Sequence, residues 1–131
     1  MEENEIIEEV ENALDPKMQK AIEAKVAELK AENPKKRIYP LLVEGVEGDE
    51  KDVYVGYFEQ PSLPNFSKYL TISQKQDQAV AMRQLAKDCF LAGDRELIDD
   101  DSLFLFGLMG QLQHIIKMRG GRLVNLSKPG K

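Results

Sequence analysis

The stretch from Asp77 to Met118 constrains this chain more than any other, because two apolar stripes at helical spacing lie there on either side of a short acidic connection. In QDQAVAMRQLAKDCFLAG the residues Ala79, Met82, Leu85, Ala86, Cys89 and Phe90 share one face, and Arg83, Gln84, Lys87 and Asp88 are left for water. In SLFLFGLMGQLQHIIKM the face is Leu105, Leu108, Met109, Leu112, Ile115 and Ile116. Two such stripes bury each other. Gly93 is expected to end the first helix in a left-handed conformation, and Asp101 or Ser102 to cap the second. The connection DRELIDDD joins them, so the pair reads as a long antiparallel helical hairpin.

The rest of the chain supplies a sheet and two more helices. MEENEIIEEVENAL is acidic, with Ile6, Ile7, Val10 and Leu14 at helical spacing, and it stops at Asp15-Pro16, a cap and first-turn pair. The helix that starts there carries Met18, Ile22, Val26 and Leu29 on one side and ends at Asn33-Pro34. The period then changes. RIYPLLV and DVYVGYFE read as two strands joined by EGVEGDEK, with Val53, Val55 and Tyr57 on one face and Tyr54 and Phe58 on the other. Pro40 lacks a ladder donor and marks an edge. A lone hairpin is marginal in water, so it must rest on the helices or pair with another chain. Ser62 caps a short helix with Leu63, Phe66, Tyr69 and Leu70, ending near Thr71 or Ile72. The fold class is therefore α+β, mainly helical: an N-terminal helix, one β-hairpin, then a bundle of three helices including the helical hairpin. Residues 1–33 form an acidic helical arm, 34–126 a single core domain, and 127–131 a flexible tail.

Composition narrows the function classes. The formal net charge of −5 repels nucleic acid and anionic membrane. One cysteine cannot make an internal disulfide, the acidic start is no secretory signal, and no apolar run is long enough to span a bilayer. An intracellular protein is expected.

No residue is assigned to catalysis, to a cofactor or to a metal. Asp99, Asp100 and Asp101 lack the alternating ligands and glycine bend of a calcium loop, and carboxylates at a helix start serve as caps. His114 lies opposite the apolar stripe, and Cys89 belongs to the stripe of another helix, so the two do not form a nucleophile–base pair. The basic residues near the C-terminus, Lys117, Arg119, Arg122, Lys128 and Lys131, lack the interleaved aromatics of a nucleic-acid reader. Gly107 and Gly110 each cost about 1 kcal/mol in a helix relative to alanine, which points to close backbone approach, within the domain or from a partner. Leu103 and Phe106 fall off the core stripe onto the glycine side, where cover is either internal or intermolecular. A partner-binding set follows: Leu103, Phe106, Gly107 and Gly110 on the last helix, with Tyr54 and Phe58 on the hairpin.

The order of these parts, YVGYFEQPS, the pivot PSLPNF and the helices containing LAKDCFLAGDRELIDDDSLF with Ala79, Leu85, Cys89, Gly93 and Asp94, resembles the small tail assembly chaperones of long-tailed bacteriophages and prophages. The resemblance covers roughly residues 38–126. It implies a non-enzymatic protein of the host bacterial cytoplasm that binds the tape measure protein and tail tube subunits during tail morphogenesis; the apolar surface read from the residues fits either such a protein partner or self-association into a homo-oligomer. The alternatives are a structural connector or neck subunit that oligomerises and remains in the particle, and a small regulatory or interaction protein.

Overall fold

A computed structural model describes residues 15–116 and Val124 of the chain. The helical start expected before Asp15, the end of the last helix expected at Met118 and the tail expected over 127–131 lie outside the described residues. Within them the protein is a mainly helical α+β domain, and no helix is long and apolar enough to cross a membrane.

Helix α1, Pro16–Glu32, starts as the sequence dictates: the Asp15 carboxylate accepts from the Lys17 N–H at 2.8 Å and Pro16 occupies the first turn. Asn33 closes it, donating to the Leu29 carbonyl from both backbone and side chain. Strands β1, Ile38–Glu44, and β2, Val53–Glu59, pair antiparallel with Ile38 opposite Glu59 and Glu44 opposite Val53. Leu41 and Val43 share the core face with Tyr54 and Phe58, while Tyr57 is buried on the other face. Lys25 of α1 acts on Tyr57, whose hydroxyl pKa is raised chiefly by burial and pulled back by that ammonium.

Helices α2, Leu63–Lys75, and α3, Gln78–Cys89, are capped by Ser62 and Asp77, whose side chains accept from the Asn65 and Val80 N–H groups. The linker is only Gln76 and Asp77, so the two helices fold against each other, with Gln78 of α3 donating to the hydroxyl of Tyr69 on α2, whose ring stacks on Phe66 of the same helix. Here α2 runs past the Thr71–Ile72 end expected for it, because Ile72 still packs on the core.

One expectation is overturned at the end of α3. The helix stops at Cys89, and Phe90–Gly93 forms a third strand, β3, antiparallel to β2, giving the sheet order β1-β2-β3. The physical reason is the second edge of β2, whose N–H and C=O groups need partners that another helical turn cannot provide. Phe90 gains an edge-to-face contact with fully buried Phe58, at 5.6 Å between ring centroids. Gly93 does adopt a positive φ of 109°, but at the end of β3 rather than at a helix terminus. Beyond it Asp94 fastens the turn to β2: its N–H donates to the Val55 carbonyl at 2.8 Å, and its carboxylate accepts from the Val55 N–H at 2.9 Å and from Lys51 at 2.6 Å.

The last helical arm is also not one regular helix. It consists of α4, Glu96–Asp99, α5, Asp101–Leu103, a π-helical turn over Phe104–Leu108 closed by the Met109 N–H on the Phe104 carbonyl, and a 3-10 stretch over Met109–His114. Widening one turn and tightening the next departs from the 3.6-residue period. The inward residues become Phe104, Leu108, Leu112 and Ile115, and Leu105, expected in the core, is 42% exposed. The core gathers these residues with Leu85, Ala86, Cys89 and Phe58, and with Leu97 and Ile98 of the acidic connection.

Candidate partner-binding face

The six residues expected to meet a partner separate into two groups. Tyr54 at 4%, Phe58 at 0% and Leu103 at 9% exposure are core residues of this domain, so the expectation that they present surface is corrected. For Tyr54 and Phe58 the cause is the completed sheet. Their face of β2 is covered by the helical bundle. Leu103 turns inward because Asp100 caps α5, accepting from the Leu103 N–H at 3.0 Å, and the following π-turn rotates the chain.

The other group stays at or near the surface. Phe106 is 87% exposed at the crest of the π-turn. Beside it in sequence Leu105, and across on α3 Val80, are each 42% exposed. Those two flank a shallow groove of about 200 Å³, whose floor is Phe104 and whose α3 wall carries Ala79, Arg83, Gln84 and Lys87. The Arg83 guanidinium is anchored, donating from Nε to the Ile98 carbonyl at 2.9 Å, pairing with Asp101 at 2.7 Å and lying 5.1 Å over the Phe104 ring. Its Nη2 is buried with no hydrogen-bond partner among the described residues.

The glycines divide likewise. A Cβ on Gly107 would lie 2.6 Å from Cγ1 of Val43, so its close approach is internal, between the π-turn and β1. The Gln111 side chain reinforces that contact by donating to the Leu42 carbonyl. Gly110 meets nothing within 4 Å. Gly107→Ala is therefore expected to destabilise the domain by about 1–3 kcal/mol through overpacking, whereas Gly110→Ala should stabilise it by about 0.5–1 kcal/mol. Urea unfolding of the two variants checks both signs.

The remaining polar candidates do not converge. Asp99 pairs with Arg95, Asp100 caps α5 and Asp101 pairs with Arg83, and no three metal-ligating groups cluster among the described residues. His114 is exposed on the 3-10 stretch. Cys89 is fully buried, and its thiol pKa is pushed up to about 12, first by desolvation and then by Glu59 and Asp88. The neutral thiol is the form the fold favours, so the stability it contributes is complete below the unfolded value near 9 and is lost as pH rises toward 12. A disulfide-exchange reagent at pH 8 is expected to modify Cys89 only as fast as the domain opens, and at full rate in denaturant.

The chain matches no protein-family model, no curated protein and no solved structure. The face is thus defined by its own chemistry: Leu105 and Val80 line a groove with cationic Arg83 and Lys87 on one wall, and exposed Phe106 follows Leu105 on the π-turn.

Sequence reasoning missed Ala81, Leu97 and Ile98, all fully buried. The signal for the last two was present as an adjacent aliphatic pair inside an acidic run.

Proposed function

We propose that this chain is a non-enzymatic protein-binding domain, and that its role is that of a phage tail assembly chaperone acting in the host bacterial cytoplasm. The observation that carries the binding reading is Phe106, a large aromatic side chain left 87% exposed on the π-turn that also carries the half-exposed groove residue Leu105. Exposed apolar side chains next to a groove suit the apolar stripe of an amphipathic helix. A tape measure protein offers long helices of that kind, and the tail-chaperone resemblance of residues 38–126 selects it, with tail tube subunits as second partner. The acidic balance of the chain keeps such a complex dispersed and disfavours nucleic acid as a ligand.

The test is co-expression with helical segments of a tape measure protein, followed by size-exclusion chromatography with light scattering. A stoichiometric soluble complex supports the reading, and failure to solubilise any segment overturns it. Mass spectrometry of finished particles then separates the chaperone from a structural connector or neck subunit: the chaperone is absent from them. Self-association through the same face would appear as a concentration-dependent mass of the isolated chain.

A further inference from the structure

Helix α1 is under-covered for its length. Over 17 residues only Leu29 is buried, while Met18, Ile22 and Val26 line one side at four-residue spacing and remain partly exposed. A helix this sparsely packed gains little from tertiary contact. Where α1 meets β1 there is an open depression of about 430 Å³ lined by Val26, Lys30, Arg37, Ile38 and Tyr39. Neither Lys30 nor Arg37 makes an ion pair among the described residues, although the Lys30 ammonium donates to the Lys36 carbonyl; Lys36 itself is paired with Glu59 at 2.8 Å, and Lys35 lies next to it in sequence. The surface is thus an apolar stripe that ends in a cationic depression.

The chain itself carries the complement. Residues 1–14 hold six glutamates and no lysine or arginine, with Ile6, Val10 and Leu14 at the same four-residue spacing as Met18, Ile22 and Val26. Asp15 is extended, with φ −61° and ψ 136°, and Pro16 has no N–H, so α1 does not continue as a helix through this point. Reach is sufficient: a helical segment of that length spans about 20 Å, the axial distance from Pro16 to Lys30 along α1.

We propose that residues 1–14 bind back onto this side of α1 within the same chain, Ile6, Ile7 and Val10 closing over Met18, Ile22 and Val26 and the leading glutamates facing Lys30 and Arg37. The occupant is the chain's own N-terminal segment because attachment at Asp15 gives it a high local concentration at that face, which a free acidic peptide lacks. The proposal shares no residue with the face carrying Phe106, so either reading can fail alone.

Hydrogen exchange of the full chain tests it. In the variant Ile6→Asp/Val10→Asp, amides in the middle of α1 are expected to exchange ~10-fold faster or more, while those of β2 and α3 keep their protection. A second variant, Lys30→Glu/Arg37→Glu, should show a smaller loss in the same amides, recovered when Glu2→Lys/Glu3→Lys is added. Unchanged exchange in α1 in the first variant overturns the proposal. Protection that rises with protein concentration also overturns it, since the face would then belong to a second copy.

Discussion

Replacing Phe106 by aspartate is expected to weaken partner or self association ~30-fold or more while leaving unfolding free energy within about 0.5 kcal/mol of the parent. The asymmetry follows from where the ring sits. At 87% exposure it contributes almost nothing to the core, so removing it costs the isolated domain little. Once a partner covers that crest, an aspartate there would be an unpaired charge on an apolar interface. Isothermal calorimetry against a bound helical segment reads the first effect, and circular dichroism with urea titration the second. Leu103→Asp serves as the contrast: that side chain is 9% exposed and part of the core, so the same chemical change should unfold the domain instead. Association that survives Phe106→Asp removes this face from the proposal.

Gly93→Ala is expected to destabilise the domain by about 3 kcal/mol or more. At a helix terminus a glycine in the left-handed region is replaced by alanine at about 1 kcal/mol. Here the added Cβ would collide with the Val55 carbonyl oxygen and meet the Gly56 Cα at 3.0 Å, both backbone atoms of the central strand. Relief would require β3 to separate from β2, breaking the Asp94–Val55 hydrogen bonds on the way. The size of the loss in urea unfolding therefore distinguishes a strand end from a helix cap at this position.

Much of the fold was legible because local signals agreed with the final packing. Asp15-Pro16 and Ser62 each start the helix their side chains suit, and the β1–β2 register follows the alternation of apolar residues. What stayed hidden depended on contacts distant in sequence. FLAG after Cys89 carries helical periodicity onward, and only the edge of β2, more than thirty residues earlier in the chain, converts it to a strand. The π-turn is invisible for a similar reason: Gly107 packs on Val43 and Gln111 reaches the Leu42 carbonyl, so β1 sets the shape of the last arm. That shift decided the candidate face, sending Leu105 outward and Leu103 inward. Aromatic content on the hairpin marked burial rather than binding, since alternation alone does not say whether a sheet face meets a helix of the same chain.

The Asp94–Val55 pairing joins residues 39 apart in sequence, and this sets an order of events during synthesis. The β1–β2 hairpin and the α2–α3 pair are local and can form as they leave the ribosome, but the central strand keeps one bare side until Gly93 and Asp94 have emerged and closed a long loop. A product released early, ending before Phe90, would carry Tyr57 and Phe58 on an unmatched strand border, the kind of template that recruits other nascent chains into aggregates.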